Sequence, residues 1–145
     1  MDFMTGLRVS SSGMTAQRRR MNAISSNIAN INTTRTPEGG PYRRKSVQLE
    51  AMPDAKSFAD MMLTNPDKKV NRVQVTDVIS DRSAPLLKYE PDHPEADQNG
   101  YVAYPNINLM VEMADMIQAN RTYDANVSAL TATKDMAMKA LEIGR

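Results

Sequence analysis

Cysteine is absent from the 145 residues. Its absence excludes disulfides, thiolate nucleophiles and cysteine-ligated zinc, and it leaves a chain that tolerates passage between redox compartments. An excess of either charge is missing too: 18 basic side chains stand against 17 acidic ones, for a formal net charge of +1 and a sequence pI near 8.0. No global field therefore points to nucleic acid or to an anionic membrane. No stretch reaches the roughly 20 consecutive apolar residues that a membrane-spanning helix needs. Met1 to Ser12 lacks the basic segment, apolar core and small-residue cleavage site of a secretory signal, so a soluble chain without a cleavable leader is expected. There is no Gly-x-Ser-x-Gly elbow and no glycine-rich phosphate loop, and the only histidine is His93. Hydrolase and nucleotide-binding chemistries lose their usual scaffolds.

The apolar residues gather toward the two ends of the chain. From Asn106 to Arg145 no Pro or Gly intervenes before Gly144, and Leu109, Met113, Met116, Asn120, Tyr123, Val127, Leu130, Lys134, Ala137 and Leu141 recur at alternating steps of four and three. That spacing predicts one long amphipathic helix with a coiled-coil seam. Asn106 or Asn108 suits its start, where Glu112 and Asp115 complement the helix dipole, and Lys139 and Arg145 suit its end. At about 1.5 Å per residue such a rod runs on the order of 50 Å, more than a domain of this size buries by itself.

A second seam is expected from Thr5 to about Asn32. Leu7, Met14, Met21 and Ile28 recur every seven residues, and Ile24 and Ile31 fill the intermediate stripe, which Ser10 and Gln17 weaken early on. Gly6 and Gly13 each lower helix propensity by about 1 kcal/mol relative to Ala, while permitting a neighbouring helix to come close. Arg18, Arg19 and Arg20 point about 100° apart on a helix and so form no single basic face. The Asn- and Thr-rich run from Ser25 to Thr33 competes for backbone groups and ends the helix, and Thr36-Pro37-Glu38-Gly39-Gly40-Pro41 then turns the chain.

Between the ends, Tyr42 to Glu50, the β-branched run Val70, Val73, Val75, Val78 and Ile79, Leu86 to Tyr89, and Tyr101 to Tyr104 predict short strands. Asp81-Arg82-Ser83-Ala84-Pro85 and Asp97-Gln98-Asn99-Gly100 supply turns. Ala51 to Lys69 fits a short helix or a loop equally well. Glu90, Asp92, Glu95 and Asp97 surround His93, but a zinc site needs further His or Cys ligands that the chain does not contain, and the prolines spread the carboxylates along an extended segment. A structural turn outweighs a cation site or a catalytic one. Glycosylation patterns beginning at Asn32, Asn120 and Asn126 are short enough to arise by chance, and two lie within the long helix.

Ser26-Asn27-Ile28-Ala29-Asn30-Ile31-Asn32-Thr33 resembles the N-terminal signature of the flagellar axial proteins, the rod and hook family. Gln118-Ala119-Asn120-Arg121-Thr122-Tyr123-Asp124-Ala125-Asn126-Val127, with Glu112-Met113 ahead of it, is similar to the family's C-terminal signature. Glu38 to Lys45 and Tyr89 to Asn106 are similar to stretches of a proximal-rod member. The resemblance implies a non-enzymatic structural subunit of the bacterial flagellar basal body, in the periplasmic rod. Such a subunit reaches the growing end through the flagellar type III export apparatus and polymerises through its terminal helices, with other rod proteins and copies of itself, into a helical drive-shaft tube. It implies no cofactor, no metal, no nucleic acid and no membrane span.

The expected fold is mainly α with a small β insert: an antiparallel, coiled-coil-like hairpin of N- and C-terminal helices, with short β-strands between them. Residues 1–36 and 106–145 would supply the rod-core helices and residues 37–105 a β-rich middle domain with a variable loop at 51–69. The expected assembly interface comprises Leu7, Met14, Met21, Ile24, Asn27, Ile28, Asn30 and Ile31 on the first helix. On the last it comprises Met113, Met116, Ile117, Asn120, Arg121, Tyr123, Asn126, Val127, Leu130 and Leu141. Among these, Asn120, Arg121, Tyr123 and Asn126 would fix register against a neighbouring helix. Further apolar residues off the seams, Met4, Val9, Met110, Met136, Met138 and Ile143, widen both stripes beyond what one partner helix covers. The competing expectation is a helical nucleic-acid adaptor using Arg18, Arg19, Arg20, Arg43, Arg44, Lys45, Lys68 and Lys69; a hydrolase centred on His93 is the weaker alternative.

Overall fold

A computed structural model of the chain describes residues 3–53 and 71–143. Among the described residues two long helices enclose four strands in sequence: α1 (Phe3–Ala29), β1 (Lys45–Pro53), β2 (Asn71–Ser80), β3 (Leu86–Tyr89), β4 (Tyr101–Tyr104) and α2 (Leu109–Ile143). The expected mainly helical architecture with a strand insert is what forms. Of the segment expected to be a helix or loop, Ala51, Met52 and Pro53 belong to β1, and residues 54–69 lie outside the described residues.

The ends of the helices follow from side chains that compete for backbone groups. At the end of α1, Asn30 Nδ2 donates to Ser26 O at 2.8 Å and Thr33 Oγ1 donates to Asn30 Oδ1 at 3.1 Å, so the polar run folds back on the last turn instead of extending it. Asn108 is the cap of α2: its Oδ1 accepts the amides of Met110 at 3.0 Å and Val111 at 3.4 Å. Pro105 and Ile107, just before that cap, are buried.

The helices pack antiparallel in one register. Gly6 faces Thr133, Gly13 faces Asn126, and Asn27 bonds Glu112, so the pairs recur at the heptad. A Cβ on Gly13 would stand 3.0 Å from the Asn126 amide, which is why the backbone needs a glycine there to come so close. The structure divides the expected α2 seam in two. Met116, Tyr123, Leu130 and Ala137 are half-buried, whereas Leu109, Met113, Asn120, Val127, Lys134 and Leu141 are exposed. The second inward row consists of Glu112, Ala119, Asn126 and Thr133, small or polar residues suited to close approach. On α1 the apolar stripe lies as expected, with Ile24 buried and Leu7, Met14, Met21 and Ile28 half-buried; the helix ends at Ala29, and Ile31, half-buried, lies in the turn after it.

β1 and β2 form an antiparallel ribbon running from Lys45↔Ser80 to Pro53↔Asn71. Gln48 pairs with Asp77 and Leu49 with Val75, leaving Thr76 as a bulge. The ribbon packs on α1. There Val73 and Val75 are half-buried, and Val73 N donates to Ser12 Oγ at 3.2 Å. β3 and β4 make a second antiparallel pair, in which Val102 is buried close to the 34–41 loop.

Candidate assembly surface and its polar anchor

The deepest polar cluster joins α1, the start of β1 and the first turn of α2. Asn27 is completely buried, and its amide meets its full hydrogen-bonding capacity. Nδ2 donates to Lys45 O and to Glu112 Oε2, both at 2.9 Å, while Oδ1 accepts Lys45 N–H at 2.8 Å and the Tyr42 hydroxyl at 3.2 Å. The side chain thus presents to Lys45 the donor and acceptor that a neighbouring strand would present. Tyr42 is held in turn by Ser26 Oγ at 3.1 Å and by its own amide on Thr33 O at 3.0 Å.

Glu112 is the ionic member of this cluster, with its side chain 1% exposed. Arg44 Nε donates to its Oε1 at 2.6 Å, and Asn27 serves Oε2, so each carboxylate oxygen has a partner. A buried carboxylate is tolerable only when it is paired and hydrogen-bonded in this way. Arg44 extends to Asp115 Oδ2 at 3.7 Å, and Arg20 reaches Asp115 Oδ1 at 3.5 Å. Two of the basic residues expected of a nucleic-acid adaptor are therefore committed to carboxylates within the subunit. Arg18, Arg19 and Arg43 are exposed, Lys45 lies 5.6 Å from the Tyr42 ring centroid, and Lys68 and Lys69 lie outside the described residues.

The acidic segment around His93 is a braced turn. His93 Nδ1 accepts the Glu95 amide at 3.2 Å, and its ring meets Tyr104 edge-on at 6.5 Å. Glu90 pairs with Lys88 and accepts the Tyr104 hydroxyl at 2.8 Å. Hydrogen bonds from Lys88 and Tyr104 lower the Glu90 pKa; the same carboxylate raises those of Lys88 and Tyr104. Asp81 is lowered chiefly by the backbone hydrogen bond from Ser83. Among the described residues no group of three or more His, Asp or Glu side chains stands close enough to hold a metal ion, and no helix is long and apolar enough to cross a membrane.

The expected interface residues fall into two sets. Ile24 and Asn27 are buried, and Leu7, Met14, Met21, Ile28, Asn30, Ile31, Met116, Tyr123, Asn126 and Leu130 are half-buried. Met113, Ile117, Asn120, Arg121, Val127 and Leu141 are exposed. Met110 and Leu141 are 73% and 74% exposed, and Val111, Met136 and Met138 are also open, so much of the outward surface of α2 is apolar along its length. Sequence reasoning missed Glu112 as an anchor, taking it as a carboxylate suited to the helix start and as part of the C-terminal signature. The signal was present in its heptad spacing to Ala119, Asn126 and Thr133, but a search for apolar positions passes over that row.

Comparison with known families bears on this arrangement. Residues 7–35 match the family model described as flagella basal body rod protein, and residues 98–143 match that of the flagellar basal body rod FlgEFG protein C-terminal. The matches thus cover α1 with its polar end and α2 with the approach to it. The chain is 43% identical to the flagellar basal-body rod protein FlgC of Bacillus subtilis over an alignment that covers 96% of each chain. It is 40% identical to the FlgC of Borreliella burgdorferi over 99% of this chain and 98% of that one. With the FlgC of Escherichia coli O6:H1 the identity is 37%, over 94% of each. Helices matched at both ends and relatives spanning nearly the whole length lead to one conclusion: this chain belongs to the FlgC family of flagellar basal-body rod proteins, a structural and not an enzymatic family.

Proposed function

We propose that this chain is a rod subunit that polymerises through its terminal helices with copies of itself and with other rod proteins, forming the torque-transmitting tube of the basal body. The observation that carries this reading is the exposed apolar surface of α2. A 35-residue helix, about 52 Å long at 1.5 Å per residue, receives one helix on one side and leaves Met110, Met113, Ile117, Val127, Met138 and Leu141 in water. Exposed large apolar side chains in such number, gathered at Met110–Ile117 and again at Val127–Leu141 with Asn120 and Asp124 between, mark a contact with another protein. Unlike patches meeting in succession, under a rotation that does not close, generate a helical tube. Methionine suits such a surface because its flexible thioether packs against non-identical neighbours.

In this reading residues 1–36 and 106–145 form the rod-core helices and residues 37–105 a middle domain. The chain travels unfolded through the flagellar type III export apparatus to the periplasmic rod. Asn120 and Arg121, exposed on α2, offer polar contacts to neighbours, whereas Asn27 and Asn30 serve assembly by shaping the subunit. No observation favours the nucleic-acid reading, which loses Arg20 and Arg44 to internal carboxylates.

The test is to replace Ile117 and Val127 separately by Asp and to follow both polymerisation and monomer unfolding. Exposed substitutions are expected to leave stability within about 0.5 kcal/mol while sedimentable polymer disappears. Polymer formation at the wild-type level by both variants would sink the proposal.

A further inference from the structure

The contacts that define the α1–α2 register nearly repeat when the helices slide by one heptad. Gly6 lies against Thr133 and Gly13 against Asn126; after a slip of seven residues Gly13 would face Thr133 or Ala119, and Gly6 would face Ala140 or Asn126. All these side chains are small or slender, and the apolar burial that favours one pairing is non-directional, so it separates such registers weakly. The polar contacts do not repeat: the part-exposed Arg20–Asp115 pair would be broken, and the buried rung would lose more. In a slipped hairpin Asn27 would face Ala119 or the position of Pro105, and Glu112 would lose the amide that serves its Oε2. Buried polar groups stripped of their partners are costly in a way that displaced methyl groups are not.

Arg44 gives this rung a third fixed point. It precedes β1, whose first residue is bonded to Asn27 through both backbone groups, and it holds the other Glu112 oxygen. The position of α2 is thereby measured against α1 and the insert together. We propose that Asn27, Glu112 and Arg44 form a register lock, which selects one heptad alignment of the hairpin and so fixes how far α2 projects beyond the first turn of α1. The competing anchor is the burial of Pro105 and Ile107 immediately ahead of α2.

Because the chain contains no cysteine, engineered pairs report the register one at a time. Gly6→Cys with Thr133→Cys marks the native alignment, since the two positions face each other, a Cβ at position 6 lying 3.8 Å from Thr133 Cγ2. Gly6→Cys with Ala140→Cys, and Gly6→Cys with Asn126→Cys, mark the two slips. Each pair is oxidised in dilute monomer, in the otherwise native chain and in a background carrying Asn27→Leu with Glu112→Leu, which removes the lock and keeps apolar volume at its site. Only the 6–133 bridge is expected in the native background. Without the lock, a slipped bridge should rise by at least about tenfold, the change that losing about 1.4 kcal/mol of register preference produces. Persistence of the 6–133 bridge alone would overturn the proposal in favour of the Pro105–Ile107 anchor. Loss of helicity in the lock-free background would overturn it too, because the cluster would then be needed for pairing itself and not for choosing among pairings. Neither reading depends on polymerisation.

Discussion

Asn27 illustrates how much one side chain carries at the residue scale. Its replacement by Ala removes the partner of both Lys45 backbone groups and strands Glu112 Oε2 in a buried site, and a loss of about 3 kcal/mol or more is expected. Asn27→Asp should cost more, because it sets a second carboxylate against Glu112; urea unfolding followed by circular dichroism ranks the two, and a milder Asp variant would contradict this account. Gly100 is a different case. Its φ is +79°, and a Cβ there would stand 2.8 Å from Tyr89 Cε2, so Gly100→Ala combines backbone strain with a ring clash. The expected cost of roughly 1–3 kcal/mol should appear as faster amide exchange confined to β3 and β4. The Lys88–Glu90–Tyr104 group gives the same hairpin a pH window. Glu90 is lowered on folding by the hydrogen bonds from Lys88 and Tyr104, so its contribution is complete above its ordinary value of 4.5 and fades as pH falls through the lowered one. Lys88 and Tyr104 are raised, chiefly by their hydrogen bonds to Glu90, so theirs is complete below 10.5 and 10.0 and is lost as pH climbs through the raised values. Tyrosine ring resonances of β3–β4 should therefore shift at both extremes, and Glu90→Gln should flatten the acid limb; an unchanged acid limb in that variant would remove Glu90 from the explanation.

At the scale of elements, the two helical glycines have opposite roles despite identical chemistry. Gly6 sits where an added methyl meets Thr133 at ordinary contact distance, so Gly6→Ala should raise stability by about 0.5–1 kcal/mol through helix propensity. Gly13 has the Asn126 amide at 3.0 Å, and Gly13→Ala should gain less than Gly6→Ala or lose stability outright. Thermal unfolding of the two variants decides this, and equal gains would show that the helices have room to spare at Gly13. The same contrast explains what was legible beforehand. Hydrophobic recurrence located both helices, loose alternation located β1, a β-branched run β2, and short apolar and aromatic runs β3 and β4, because those signals are local in sequence. It found Met116, Tyr123, Leu130 and Ala137 on the packed face of α2, then assigned the second inward row to Met113, Asn120, Val127 and Lys134. The row that packs is Glu112, Ala119, Asn126 and Thr133: glycines opposite Asn126 and Thr133 bring the backbones close there, and Asn27 and Arg44 hold Glu112 at the other end. Period reveals which residues share a stripe, and only the partner reveals which stripe is used. The polar anchor was hidden for a related reason: Asn27, Tyr42, Arg44 and Glu112 are scattered in sequence and meet only when three elements are in place.

For the whole molecule, near-neutral charge and an apolar outer surface on α2 determine how subunits should respond to salt. With a net charge of +1 there is little mutual repulsion to screen, and Met110, Met113 and Ile117 offer no ion pairs across a contact. Sedimentable polymer should therefore increase with sulfate, which strengthens apolar burial, and change little with sodium chloride between low and moderate ionic strength. Dissolution by moderate chloride would instead identify a contact dominated by charge. Along the ribbon a further property follows from side chains already placed. Asn27 occupies the outward donor and acceptor of Lys45 on one border of the ribbon, and Ser12 occupies the outward amide of Val73 on the other. A lone pair of strands ordinarily invites stray chains to zip alongside and seed fibrils. Here the same helix takes backbone groups on each border, at Lys45 and at Val73, so a stray strand cannot zip past either position without first displacing a side chain of α1.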